Sequence, residues 1–285
     1  MDAHEPPSQT APTPSDAHSE PDERRPRLSV VVITQNVEHS IAECLDSVAW
    51  ADEIVVVDSH STDATRDICR RYTDKVHERT YRYAADQKNF GIRQATGRYV
   101  LILDADERVS PELAAEIPRV LSGPEPADVY CIPRRLMFRG RHLRFGGEYP
   151  HARPRLFRNG AALYRDQRAH APLEYGCREV LLRGDLVHHS FRDLSDMLRR
   201  IDTFSTRRAQ DLVESGRRIR WYDFLWPLGE FVHRYVLRGG FRDGMLGLFY
   251  CAVMSLYVLA LYAKAWLAQH PEAQFPDALG HRDGA

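Results

Sequence analysis

The sequence predicts an α/β domain built on a mainly parallel sheet, and three observations carry the prediction. Leu28–Thr34, Glu53–Val57 and Tyr99–Leu103 are short, nearly continuous runs of Val, Ile and Leu, as expected of strands covered on both faces. Segments with helical spacing separate them, so strand and helix alternate as in strand–helix–strand units. Each run ends in polar residues: Thr34 and Asn36, then Asp58, then Asp104 and Asp106. Parallel sheets bind ligands beyond the carboxyl ends of their strands, so these residues mark the functional edge.

The elements follow in order. Met1–Arg27 holds six prolines among small polar and charged residues, too little apolar surface to offset its ordering entropy, and reads as a disordered tail with no secretory signal. After the first strand, Ile41, Cys44, Leu45 and Val48 recur at helical spacing. Asp58 closes the second strand, and Ser59–Asp63 offers N-caps for a helix through Ile68 and Tyr72. Asp86–Ala95 reads as a third helix closed by Gly97, and Pro111 opens a fourth. Beyond about residue 125, Val129–Pro133, Pro154–Phe157, Glu179–Leu182 and Asp185–His189 read as strands between Gly-, Arg- and aromatic-rich loops, followed by a helix over Leu194–Glu214. The expected organisation is a tail over 1–27, one half of a domain over 28–125, a second half over 126–215, C-terminal helices over 216–270 and a flexible tail over 271–285. No internal repeat interrupts it.

A formal net charge of -1 argues against a nucleic-acid partner held by bulk electrostatics. The cysteines Cys44, Cys69, Cys131, Cys177 and Cys251 are odd in number and never spaced Cys-x-x-Cys, so neither a disulfide framework nor a zinc–thiolate site is expected, and a reducing cytoplasm fits. Met245–Ala263 carries no charge and approaches the roughly 20 residues of a bilayer span. Arg234, Arg238 and Arg242 precede it, Lys264 follows, and Tyr250, Tyr257, Tyr262 and Trp266 suit an interface. Trp221–Leu237 mixes aromatics with Arg and His. Three readings stay open: helices at the membrane surface or partly inserted, a true span, or a core helix or dimer contact. Membrane association of some kind is favoured. The run Arg217, Arg218 and Arg220 suits anionic headgroups and equally a solvated helix end.

Asp104 and Asp106 are central to the chemistry. Carboxylates at i and i+2 in extended backbone point to one side. Two hard oxygen donors there suit Mg2+ or Mn2+ with substrate phosphates, and a diphosphate leaving group needs such help as its charge grows. The alternative is a turn with helix-capping acids, Glu107 among them. Asp58 sits where an acid can accept from a ribose hydroxyl or a nucleobase N–H. The turn after the first strand, Thr34-Gln-Asn-Val-Glu38, has no Gly-x-Gly-x-x-Gly, and no P-loop occurs, which disfavours hydride transfer and P-loop chemistry. Ser61, Thr62 and Asp63 read as helix caps. Lys88, in Gln87-Lys-Asn89, could meet a phosphate or an acid of the site, or lie on a solvated helix face. His188, His189 and His170 could orient an acceptor or, for His188, add a metal ligand, although a structural role is commoner for any one histidine. Neither a His-Glu-x-x-His helix nor a Gly-x-Ser-x-Gly elbow is present.

Several separated blocks in order resemble the family 2 glycosyltransferases of GT-A fold, and among them the bacterial branch of lipopolysaccharide-core β-glucosyltransferases. They are Leu28-Ser-Val-Val-Val-Ile-Thr-Gln-Asn36, Ala51-Asp-Glu-Ile-Val-Val-Val-Asp-Ser-His-Ser-Thr-Asp63, Asp86-Gln-Lys-Asn-Phe90 and Leu103-Asp-Ala-Asp-Glu107, then Gly184-Asp-Leu-Val-His188, Ser190-Phe-Arg-Asp-Leu-Ser195 and the apolar C-terminus. The resemblance covers about Leu28 to Trp266. It implies a GT-A-type (Rossmann-like) mixed sheet flanked by helices, with a membrane-associated helical extension. A donor half over 28–125 would precede an acceptor half over 126–215. It implies a nucleotide-diphosphate sugar donor, UDP-glucose by the family's example, Mn2+ or Mg2+, inversion at the anomeric carbon, and a lipid-linked or lipopolysaccharide-core glycan acceptor at the cytoplasmic face of the inner membrane. Thr34, Asn36 and Asp58 would contact the nucleoside, Lys88 would lie by the donor, Asp104 near the ribose or metal, and Asp106 on the metal.

The chain departs from the pattern in three places. Val37 follows Asn36 where glutamate is usual, His60 replaces a glycine, and His170-Ala171 stands where a His-Glu pair is usual. The last departure leaves the general base unassigned, with Glu174, Asp166, Glu148 and His170 as candidates. Two other readings compete: an α/β nucleotidyltransferase, which would carry a Gly-rich basic loop after the first strand, and an inactive nucleotide-binding scaffold on the membrane.

Overall fold

The computed structural model of the protein describes residues 27–270 apart from 139, 167–170 and 192–193, so both expected tails and His170 lie outside the described residues. The three apolar runs form β1 (Leu28–Thr34), β2 (Glu53–Asp58) and, further on, β4. Between them lie α1 (Ile41–Asp46), the short α2 (Thr65–Cys69), a strand β3 (Val76–Glu78) that was not expected, and α3 (Ala84–Gln94). After β4 (Tyr99–Asp104) come β5 (Glu107–Val109) and α4 (Pro111–Leu121), which Pro111 opens as expected, with Ser110 Oγ accepting from Leu113 N at 3.2 Å.

The second half supplies β6 (Val129–Ile132), β7 (Arg134–Phe138), β8 (Arg141–His142), β9 (Arg153–Arg158), the hairpin β10 (Leu163–Tyr164) and β11 (Leu173–Glu174), β12 (Glu179–Leu181) and β13 (Leu186–Phe191). The main sheet has the order β12-β6-β9-β4-β1-β2-β3. Its neighbours are parallel except β9, which is antiparallel to both β4 and β6. A second sheet, β5-β13-β7-β8, lies beside it. Pro133 separates β6 from β7, so one stretch of chain serves both sheets.

Strand alternation explains the sheet's two-sided burial. Val30, Val32, Val56, Leu101 and Leu103 pack with Ile41, Leu45, Leu113 and Ile117 on one face. Val31, Val55, Val100 and Ile102 pack with Ile92 and Phe157 on the other. Gly97 does not cap α3, whose C-cap is Ala95. It is glycine because a Cβ there would fall 2.5 Å from Ser29 Oγ. Gly184 is similarly confined, since a Cβ would lie 2.5 Å from Leu113 Cα in α4.

The chain ends in α5 (Leu194–Glu214), a 3-10 turn over Trp221–Leu225, α6 (Trp226–Val232), a π turn over His233–Leu237, a second 3-10 turn over Gly240–Asp243, and α7 (Gly244–Gln269). The uncharged run is thus the body of α7. It packs along α5, through Met197 and Ile201 with Tyr250 and Val253, then through Ala209 with Leu261, Tyr262 and Ala265. The stretch Gly240–Gln269 is long and apolar enough to cross a membrane, and 28% of its apolar core is buried within the protein.

At the amino end of the sheet, Glu53 is buried and receives Ser29 Oγ, Lys75 Nζ, Thr96 N (2.8 Å) and Thr96 Oγ1 (2.7 Å). Burial pushes its carboxyl up, but these donors outweigh it and hold the group at about 2, against an ordinary 4.5. The depressed folded value means that the stabilisation is complete above the ordinary value and is lost as pH falls from about 4.5 toward 2. Urea melts across this window should show stability falling by on the order of 2 kcal/mol from this group, and Glu53→Gln should remove that part of the slope. An unchanged slope in the variant would exclude Glu53 as its source.

Candidate active site

The loops after β1 and β2 are laced together. β1 and β2 pair in register at Thr34 and Asp58, and Thr34 Oγ1 donates to Asp58 Oδ1 at 2.9 Å. Asp58 is wholly buried, and its oxygens also accept from Ser61 N (2.8 Å) and Ser61 Oγ (2.6 Å). Asn36 has φ +51, a conformation asparagine tolerates, and its Oδ1 accepts from Thr62 N at 2.8 Å while its own N donates to Ser61 Oγ at 2.9 Å. Ser61 and Thr62 therefore stitch the two loops rather than cap α2, whose N-cap is Ala64. Asp63 Oδ1 does accept from Thr65 N at 3.0 Å. His60 has φ +55, so the position where glycine is usual is held left-handed by a residue that strains there. Asn36, His60 and Thr62 are the exposed rim of this loop pair.

The acid pair does not form an extended Asp-x-Asp. Asp104 is the last residue of β4, beside Ile33 of β1, whereas Asp106 lies in the turn between β4 and β5. The tight turn gives the two carboxylates different partners. Asp104 Oδ1 meets Lys88 Nζ at 2.7 Å and its Oδ2 meets Arg155 Nη2 at 2.8 Å. Arg155 Nη2 also donates to Glu107 Oε1 at 3.0 Å, and Glu107 Oε2 accepts from Asp104 N at 3.1 Å. Asp106 Oδ2 lies 3.3 Å from His188 Nε2 and 3.6 Å from Arg200 Nη1, whose Nε lies 3.3 Å from Asp196 in α5. Burial pushes the Asp104 carboxyl up, but Arg155 and Lys88 outweigh it and hold it well below the usual carboxylate range. Burial likewise opposes ionisation of Asp106, and the His188 hydrogen bond and charge bring it down.

Thr34, Asn36 and Asp58 thus gather on two adjacent strand ends, and Lys88, Asp104, Asp106 and His188 on the next. The base candidates are dispersed. Glu148 Oε1 pairs with Arg234 at 2.7 Å, toward the C-terminal helices. Glu174 pairs with Arg165 at 2.7 Å, and Asp166 accepts from the Tyr83 hydroxyl. The β10 loop that leads to Asp166 is fastened to α3 by Asn89 Nδ2 to Tyr164 O at 2.8 Å, with Lys88 Nζ 5.4 Å from the Tyr164 ring centre.

Among the described residues no group of three or more His, Cys, Asp or Glu side chains could hold a metal by itself. Asp104 and Asp106 are nevertheless hard oxygen donors, each a little over a quarter exposed (28% and 27%), which fits Mg2+ or Mn2+ completed by waters and phosphate oxygens.

Arg155 and Arg200 belong to this site and were not expected from the sequence, and Glu107, considered there as a helix-capping acid, instead accepts from Asp104 N and Arg155. Three of the six residues of β9 are arginines, and only the strand's antiparallel seat beside β4 turns Arg155 inward. Arg155→Met should cost about 3–5 kcal/mol in chemical denaturation, because Asp104 and Glu107 lose a buried counter-charge. Arg155→Lys should fall between the two, since one ammonium cannot reproduce the guanidinium fork.

Residues 29–170 match the family described as Glycosyl transferase family 2. The chain is 27% identical over 264 residues to the lipopolysaccharide core biosynthesis glycosyltransferase LpsC of Rhizobium meliloti, covering 89% of this chain and 98% of that protein. It is 25% identical over 250 residues to the uncharacterized glycosyltransferase RP128 of Rickettsia prowazekii, covering 77% and 82%. The mannosyltransferase PcManGT from Pyrobaculum calidifontis, solved with GDP-Man and Mn2+, is 20% identical and aligns with a TM-score of 0.46 over 92% of this chain and 79% of that one. The ordered motif blocks, the mixed, mainly parallel GT-A-like sheet and the family match agree: the chain belongs to glycosyl transferase family 2.

Proposed function

We propose that this protein is an inverting, metal-dependent glycosyltransferase that moves a sugar from a nucleoside-diphosphate sugar to a hydroxyl of a lipid-linked or lipopolysaccharide-core glycan, at the cytoplasmic face of the inner membrane. The observation that carries the proposal is the pair of partly open carboxylates, Asp104 and Asp106, at the carboxyl edge of the sheet beside the laced β1 and β2 loops. The relative from Rhizobium meliloti, named for lipopolysaccharide core biosynthesis, supports the acceptor class.

In this reading residues 28–125 bind the donor, 126–215 the acceptor, and 216–270 place the enzyme at the membrane. Asn36 and Thr62 edge the nucleoside site, while buried Asp58 holds the two loops in place through Thr34 and Ser61. Lys88 faces the diphosphate. Asp104 and Asp106, with His188 beside Asp106, would hold Mg2+ or Mn2+, which when bound neutralises charge on the departing diphosphate. Inversion needs an acceptor oxygen aligned opposite the leaving group and a base for its proton. Asp166 is our choice, because Glu148 and Glu174 are already neutralised by arginines whereas Asp166 accepts from a tyrosine hydroxyl and leads from the loop pinned beside Lys88. UDP-glucose is the first donor to test.

Donor hydrolysis with Mn2+, scanned over nucleotide sugars, tests the proposal. The parent should release nucleoside diphosphate from one donor, and Asp106→Ala should lower the rate by roughly 100-fold or more while the variant stays folded. Turnover with no donor would instead favour a nucleotide-binding scaffold.

A further inference from the structure

The C-terminal region carries a surface that the sugar-transfer chemistry does not use. Between the end of α5 and the first turn of α7, four short elements form an elbow that leaves large apolar side chains in solvent. Trp221 and Met245 are each 77% exposed, Leu237 is 73% and Leu228 66%, with Leu225 and Trp226 between them. An apolar surface of this extent on a soluble face marks an interaction site. Its charge is one-sided. Arg218, Arg220, Arg238 and Arg242 are exposed among these side chains. The three acids of the segment are all engaged: Asp223 is buried against Arg217 (2.8 Å), Glu230 pairs with Arg234, and Asp243 Oδ2 accepts from Arg144 N (3.0 Å) and Phe145 N (2.9 Å). Tryptophan and leucine interleaved with exposed arginines, of which Arg238 meets His233 Nε2 (3.3 Å) and Arg242 lies over the Phe145 ring (4.2 Å), match the boundary of an anionic bilayer, where rings and chains enter the acyl edge and guanidinium groups stay with phosphates.

The same structure opposes a span by α7. Lys264 Nζ donates to Asp202 O (2.7 Å), Asp202 Oδ1 (2.6 Å), Ser205 Oγ (2.9 Å) and Thr206 Oγ1 (2.7 Å) of α5. Gln269 accepts from Ile219 N at 2.9 Å and donates to Arg217 O at 2.7 Å. With α7 fastened to α5 at this end, crossing the hydrocarbon would carry the arginines and aspartates of α5 with it.

We infer that the Trp221–Met245 elbow docks the enzyme on one leaflet of an anionic membrane, as a monotopic contact, while α7 remains part of the folded domain. This surface gives the membrane-borne acceptor of the proposed function its physical site and rests on that reading only for its purpose. The test is co-sedimentation of the full-length protein with phosphatidylcholine vesicles, with and without phosphatidylglycerol. Binding should be about tenfold stronger with the anionic lipid. The double variant Leu228→Glu/Leu237→Glu should bind about tenfold less, and Arg218→Ala/Arg220→Ala should lose the preference for anionic lipid, while nucleotide-induced thermal shifts stay at the parental value. Wild-type protein that ignores vesicles overturns the inference, as does retention in membranes after alkaline carbonate washing, which signifies a span. A change in oligomeric mass of the Glu variant without a change in vesicle binding also overturns it, by assigning the surface to a second copy. None of these readouts uses sugar transfer, so failure here and failure of the transferase reading are distinct.

Discussion

Charge balance at the end of β4 is the constraint on which the rest of the site depends. Asp104 and the wholly buried Glu107 bring two carboxylates into the sheet's edge, and leaving them there without cations would cost several kcal/mol. Arg155 answers both and Lys88 answers one. That requirement reaches across the fold. β9 must run antiparallel beside β4 to deliver Arg155, and α3 must cross the face of β1 to deliver Lys88. The two halves of the domain are thereby joined through one ionic cluster rather than by apolar packing alone.

The cluster also sets what the edge can do. Asp104 and Asp106 are oriented by their neighbours, whose positive charge and hydrogen bonds hold both carboxyls below the usual range. Asp106 differs from Asp104 in being held by His188 of the second sheet and Arg200 of α5. The two carboxylates therefore answer to different parts of the chain, β4 with α3 and β9 for one, β13 of the second sheet with α5 for the other. Nearby, the β1 and β2 loops owe their shape to backbone N–H groups satisfied by Asp58, Ser61 and Asn36.

The sequence made much of this legible. β1, β2 and β4 appear as apolar runs because strands covered on both faces have no polar side, and their ends gather the polar residues that the sheet's edge requires. Short strands such as β3, β8 and β10 were not legible, since two or three residues carry no periodicity. The turn that separates Asp104 from Asp106 was legible only as the alternative to an extended pair, because Ala105 gives no breaker signal to decide between them. Arg155 was hidden for another reason: an arginine in a strand is ordinarily exposed, and inward placement depends on a counter-charge 51 positions earlier in the chain.

What the sequence by itself determined is local and repetitive: which segments are strand or helix, which strand ends are polar, that the last helix is apolar, and which ordered blocks mark family 2. What only the tertiary structure decided is how distant charges meet. Arg155 finds Glu107 across 48 positions and Lys264 finds Asp202 across 62, contacts made by chain topology and by the cost of burying an unpaired ion. Periodicity encodes which face of an element is buried. It does not encode the partner that waits there, and in this protein those partners assemble the acidic edge and tie α7 to α5.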